Sequence, residues 1–106
     1  MFVEQIVKRN RKLVETAFAL HQSGQIMPDS YLIDMDVLID NAKKILEAAK
    51  VRNLRLYFML KQLGRNPYIA KKLVELGYEG AVVVDFKEAR LMMKHGIPIG
   101  NVGHLV

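Results

Sequence analysis

Residues 54–85 read LRLYFMLKQLGRNPYIAKKLVELGYEGAVVVD, and this stretch decides the fold class. It contains two almost continuous apolar runs, at 54–60 and 81–84, which are typical of strands that are covered on both faces. The segment between them carries helix boundary signals, with Asn66 as N-cap and Gly77 just past the end. Because a helix is the usual connection between parallel strands, the stretch predicts a βαβ unit of the α/β class.

The same alternation extends on both sides of this stretch. The pattern predicts helix 2–23, strand 31–35, helix 36–52, strand 54–60, helix 67–76, strand 81–84, helix 86–95 and strand 102–106. Asp36 is the expected N-cap of helix 36–52, and Asp85 with Glu88 resembles a capping box for helix 86–95. A barrel built from such units needs eight strands and about 250 residues. At 106 residues, we expect the chain to be the N-terminal portion of a parallel (β/α)8 TIM-type barrel, incomplete in this chain. We expect one segment, with an N-terminal helix and linker at 1–30 and the first barrel strands and helices at 31–106.

The composition is that of an ordinary globular protein. Hydrophobic residues make up 51% and charged residues 25%, which excludes an intrinsically disordered chain. There is no cysteine, so neither a disulfide framework nor a thiolate metal site can form. The three histidines show no metal-ligand spacing, and we expect no metal site.

The net charge of +5 raises the question of nucleic-acid binding. The basic residues come in pairs on several predicted helices, such as Lys43 and Lys44, without interleaved aromatic residues. Solvated helix faces are therefore favoured, and we expect no nucleic-acid partner. Glu4 and the basic cluster 8–12 interrupt any secretory signal, and no apolar run approaches the ~20 residues of a membrane span. We expect a cytoplasmic protein without a membrane partner.

Lys61 follows the apolar run 54–60 and is the first candidate for chemistry. Alternation along a strand places Tyr57, Met59 and Lys61 on one side, which would be the barrel interior, with Lys61 at the carboxyl rim. Barrel enzymes carry their active sites at that rim, and a lysine amine kept from water by apolar surroundings is a nucleophile. A lysine that only ends the strand and faces solvent is the alternative. Position alone leaves both open.

A longer series of residues adds to this argument. It consists of Tyr31-Leu32-Ile33-Asp34-Met35-Asp36, Asn41, the apolar strand that ends in Lys61, Leu73, Gly77, Gly80, Val82, Glu88-Ala89 and Gly96-Ile97. In this order the chain resembles the N-terminal part of alanine racemase-like proteins, the fold type III enzymes that use pyridoxal 5′-phosphate (PLP). It is most similar to the ornithine and alanine racemase-like branch. The resemblance implies a homodimeric PLP-dependent amino-acid racemase (an isomerase) or related lyase, in which Lys61 is catalytic and forms the Schiff base with the cofactor. It also implies an amino-acid substrate, and that this N-terminal fragment is inactive alone.

Three residues besides the lysine are expected to bind the cofactor, namely Tyr57, Arg65 and His104. Arg65 stands where alanine racemases proper have a tyrosine that reaches the cofactor phosphate, so alanine is not implied as the substrate. Arg65 can hold an anionic group at a helix N-terminus or simply face solvent. His104 alternates with Val102 and Val106, so it can point into the barrel or pack in its core.

Two other functions stay open at this point. One is a non-catalytic PLP-binding or homeostasis protein of the same fold, which binds the cofactor but turns over no amino acid. The other is a cofactor-free fragment whose open sheet edge drives self-association.

Overall fold

Five helices and three strands follow one another in the described part of the chain. The computed structural model describes residues 2–103. Its elements are α1 (Phe2–Arg9), α2 (Arg11–Gln22), α3 (Met35–Val51), β1 (Tyr57–Phe58), a 3-10 turn (Lys61–Leu63), α4 (Pro67–Leu76), β2 (Gly80–Val83), α5 (Phe86–Lys94) and β3 (Ile99–Val102). The chain divides into two units, Met1–Met35 and Asp36–Val106. Between residues 2 and 103, no helix is both long and apolar enough to cross a membrane.

The first unit begins with two short helices where the sequence predicts one. The expected helix 2–23 is interrupted at Asn10, between α1 and α2. Asn10 caps α2, because its side-chain oxygen accepts a hydrogen bond from the Leu13 N–H at 3.1 Å. Its Nδ2 also donates to an Asp34 carboxylate oxygen at 2.8 Å. An asparagine that binds the backbone in this way starts a new helix, so the expectation of one continuous helix is wrong.

The expected strand 31–35 is not formed. Residues 31–34 are neither helix nor strand, and Met35 already begins α3. Asp36, expected as the N-cap, therefore lies inside the first helical turn. A short alternating run becomes a strand only where a neighbouring strand pairs with it, and the sheet of the described residues consists of β1, β2 and β3 alone.

The second unit is built on a parallel sheet with the strand order β1-β2-β3. Tyr57 pairs with Gly80 between the first two strands, and the register between β2 and β3 shifts after Ala81. The strand β1 is shorter than the apolar run that predicted it, since only Tyr57 and Phe58 of the run 54–60 count as paired strand. Parallel strands joined by helices confirm the α/β connectivity of this region.

The core of the second unit is formed by side chains of the sheet and of the helices α3, α4 and α5. Its buried apolar side chains include Ala42, Leu46, Ala49, Phe58, Leu60, Ile69, Ala70, Leu73, Ala81, Val83, Ala89 and Met92. Tyr78 connects α3 to this core, because its hydroxyl donates to the Ala42 carbonyl at 2.9 Å and its ring packs edge-on against Phe58. Burial raises the pKa of Tyr78 above its ordinary value.

The boundaries of α4 confirm the sequence prediction. The Asn66 side-chain oxygen accepts a hydrogen bond from the Tyr68 N–H at 2.9 Å, and Pro67 is the first helical residue. Gly77 ends the helix with a φ of 123°, a conformation that favours glycine. Local signals of this kind depend only on neighbouring residues, which is why the sequence shows them.

The expectation of a partial (β/α)8 TIM-type barrel is wrong. The described residues form a small α/β structure with five helices and an open, three-stranded parallel sheet. The expected strand 31–35 is missing, and two side chains assigned to the barrel interior are open to solvent, with Tyr57 46% and Met59 44% exposed. Periodicity predicts single strands and their connection. Closure depends on strand number and stagger, which periodicity does not contain.

Candidate functional site at Lys61

Lys61 lies on a tight turn just after β1. The alternation expected along this segment is confirmed, because Phe58 and Leu60 are buried while Tyr57 and Met59 are exposed. Lys61 is itself exposed and is the first residue of the 3-10 turn. Its amine is therefore open to solvent and accessible to a reactant, whereas the apolar surrounding expected from the sequence is not supplied by the described residues.

One backbone carbonyl closes the loop that carries this lysine, which we call the Lys61 turn (residues 60–65). The Leu60 carbonyl accepts hydrogen bonds from the N–H groups of Leu63, at 2.9 Å, and Arg65, at 3.0 Å. Gly64 and Arg65 both have left-handed backbone angles, with φ of 69° and 56°. Glycine adopts this conformation freely, but for a residue with a side chain it is unfavourable by about 1–2 kcal/mol. The turn therefore depends on contacts that hold Arg65 in place.

Those contacts come from a buried carboxylate on α5. The Nε atom of Arg65 lies 3.3 Å from Oε2 of Glu88, in a combined ion pair and hydrogen bond. The Glu88 side chain is only 1% exposed, whereas that of Arg65 is 43% exposed. The same Oε2 atom also accepts a hydrogen bond from the Val84 N–H at 3.1 Å. A buried carboxylate is strongly disfavoured without such partners, so Glu88 joins the Lys61 turn to the end of β2.

The N-terminus of α5 holds Glu88 in this position. The Asp85 carboxylate caps the helix by accepting a hydrogen bond from the Glu88 N–H at 2.8 Å, as the sequence predicts. The reciprocal half of the expected capping box differs, because the Glu88 carboxylate binds Val84 and Arg65 rather than the N–H of the capping residue. Glu88 therefore binds the Lys61 turn through its side chain.

Tyr57 lies on the exposed side of β1, opposite the buried Phe58. Its ring sits against Gly100 of β3, where an added Cβ atom would come within 2.2 Å of the ring Cδ1 and 2.3 Å of Cε1. Because β2 lies between β1 and β3, the side chain reaches across β2, near its partner Gly80. The Tyr57 ring fits there because residue 100 has no side chain, and Tyr57 remains 46% exposed.

The chain has a relative of greater length. Over all 106 residues it is 48% identical to YhfX, an uncharacterized protein of Escherichia coli (strain K12). The chain spans 27% of YhfX. No model of a protein family matches the chain.

The side chains around Lys61 can be compared with what PLP requires. An accessible primary amine is the group that bonds to the cofactor aldehyde, and the exposed Lys61 fits that requirement. The half-exposed ring of Tyr57 is suited to contact with a planar group. Glu88 competes with a phosphate for Arg65, because its carboxylate already holds the Nε atom of the guanidinium. His104 lies outside the described residues.

The structure thus places Lys61 and Arg65 in one turn, with Tyr57 before it on β1. Sequence reasoning missed the role of Glu88, which the sequence suggested only as a helix cap. A signal was present, since Glu88 falls on the buried face of α5 beside Ala89 and one turn before Met92. A carboxylate at a core position of a helix indicates a buried partner.

Proposed function

We propose that this chain acts as the N-terminal part of a PLP-dependent amino-acid racemase or related lyase and supplies its cofactor-binding lysine, Lys61. The observation that carries the proposal is the exposed amine on a closed and anchored turn just after the first parallel strand. In open parallel α/β sheets, ligands bind outside the carboxyl ends of the strands, which is where this turn lies. The length of YhfX supports a larger protein, in which other segments would provide the remaining ligands.

In this proposal each residue of the site has a defined task. PLP, when bound, supplies an electron sink that lowers the barrier to removing the Cα proton of an amino acid. Lys61 would hold the cofactor covalently through Nζ and, once free, carry a proton to or from the substrate Cα. Tyr57 would limit where a planar group can lie against the exposed side of β1. The Lys61 turn fixes the backbone from which the lysine side chain extends.

Peptide mapping after borohydride reduction tests the proposal. The protein is mixed with PLP, reduced and digested, and the modified lysines are identified by mass spectrometry. We expect modification concentrated on Lys61, because it alone among the chain's lysines follows a parallel strand. The matched control is Lys71, which is exposed on α4. Modification spread evenly over the helical lysines would contradict the proposal.

A cofactor-free role in self-association is the second candidate, and one observation favours it. Apolar side chains are exposed on the outer strands of the described sheet, including Met59 next to β1 and Val102 on β3. Such a surface is a typical site of association between chains. A non-catalytic PLP-binding protein is separated from an enzyme by an amino-acid turnover assay. The cytoplasmic location and the homo-oligomeric state stay predictions.

A further inference from the structure

We infer that Arg65 and Glu88 form a clamp that positions Lys61, an inference that rests on the proposed role of this lysine. The clamp consists of two contacts that Arg65 makes: its N–H donates to the Leu60 carbonyl within the Lys61 turn, and its Nε binds Glu88 outside the turn. The first contact closes the turn, and the second ties it to the end of β2 and the start of α5. Neither residue needs to touch the cofactor.

The backbone of Arg65 shows why the second contact matters. Its φ of 56° is a conformation that residues with a side chain rarely adopt, and it persists where surrounding contacts over-determine it. The Leu60 carbonyl alone is shared between two donors. When the side-chain contact to Glu88 is removed, Arg65 can return to an ordinary backbone conformation and the turn can open. The backbone of Lys61 is then no longer held in one position.

Because Glu88 is buried, it is the fixed partner in its contact with Arg65. The carboxylate is almost fully enclosed, and the Val84 N–H holds the same oxygen that faces Arg65. Arg65 is the more exposed partner, at 43%, and the attraction to a buried carboxylate keeps it against the sheet. A clamp anchored on the rigid side in this way determines where the turn lies, rather than following it.

A rival role for Arg65 makes the opposite prediction for one variant. If Arg65 were a phosphate ligand, neutralising its competitor in Glu88→Gln would free the guanidinium and increase PLP modification of Lys61. A clamp predicts a decrease in both Arg65→Met and Glu88→Gln, and no further decrease in the double variant, because both residues act as one unit. The two readings are therefore separated by the sign of the effect in Glu88→Gln.

The test measures the ratio of PLP modification at Lys61 to that at Lys71 after borohydride reduction. A general loss of structure changes both lysines, so the ratio reports the position of Lys61 specifically. We expect the ratio to fall about tenfold in either single variant, since misplacing a reacting group by about 1 Å costs up to about a hundredfold in rate. The control Glu79→Gln removes an exposed carboxylate and should leave the ratio unchanged.

Hydrogen exchange on the same proteins tests the clamp independently of PLP binding. The amides of Leu63 and Arg65 should exchange faster in both single variants, while the amides of α4 keep their protection. An unchanged ratio, or a raised ratio in Glu88→Gln, overturns the inference. If the unmodified sequence shows no preference for Lys61, the proposed function fails, and exchange then decides the clamp separately. Unchanged exchange at Leu63 and Arg65 would overturn it in that case too.

Discussion

Replacing Tyr78 by phenylalanine removes one buried hydrogen bond and leaves the rest of the core in place. The hydroxyl donates to the Ala42 carbonyl at 2.9 Å, and the ring packs against Phe58 with 6.3 Å between centroids. Because Ala42 lies inside α3, its carbonyl keeps its helical partner when the hydroxyl is lost. The cost is therefore that of one net hydrogen bond, about 1 kcal/mol, rather than that of an unsatisfied buried group. For a domain of this size, that lowers Tm by about 4–8 °C.

Urea unfolding followed by circular dichroism measures this change in the free energy of unfolding. The control is Tyr68→Phe, since Tyr68 is 58% exposed and its replacement should change stability by less than about 0.5 kcal/mol. Equal effects of the two substitutions would refute the argument. A loss of 3 kcal/mol or more, roughly the value for removing a whole aromatic side chain, would show that the ring had also moved.

Because of Tyr78, we expect the free energy of unfolding to depend on pH in the alkaline range. Burial raises the pKa of Tyr78 above its ordinary value of 10.0, so the folded protein favours the neutral phenol. Between the two pKa values the folded state therefore binds more protons than the unfolded state. This contribution to stability is complete below about pH 10 and is lost as the pH rises through the folded-state pKa. Tyr78→Phe should lose less stability than the unmodified protein over this range.

Two further variants probe the sheet. Gly80→Ala places a methyl group 2.6 Å from the Pro98 carbonyl oxygen, and because this neighbour is backbone it cannot rotate away. We expect a loss of about 1–3 kcal/mol in urea unfolding, and unchanged stability would show that the strands separate freely. The protein should also self-associate through its exposed strand residues, with a mass in light scattering that rises with concentration and falls in Met59→Gln/Val102→Gln. A monomer at all concentrations would contradict this.

Local signals in the sequence predicted much of the second unit. Asn66 and Gly77 bound α4, and Asp85 caps α5, because each of these effects needs only the next few residues. The burial of alternate residues after position 56 follows from strand geometry in the same way. The break at Asn10 was missed, since its side chain competes with the helix through Asp34, which lies far along the chain.

The features that depend on distant pairing could not be predicted. The segment 31–35 alternates like a strand but has no strand partner among the residues that the structure describes, and the sheet of those residues does not continue into a barrel. The contact between Arg65 and Glu88 joins the Lys61 turn to α5, and the approach of these two segments depends on the packing of α4 against α5. The candidate site was therefore located at Lys61 by the sequence, whereas the clamp that holds it required the structure.

Binding of PLP by Lys61 can be measured by titrating the protein with the cofactor and following the visible absorbance of the bond between PLP and lysine. Lys61→Arg keeps the charge but cannot form this bond, and Lys71→Arg makes the same change on the exposed face of α4. We expect the absorbance band to be lost in Lys61→Arg and retained in Lys71→Arg. A band of equal strength in Lys61→Arg would contradict this expectation.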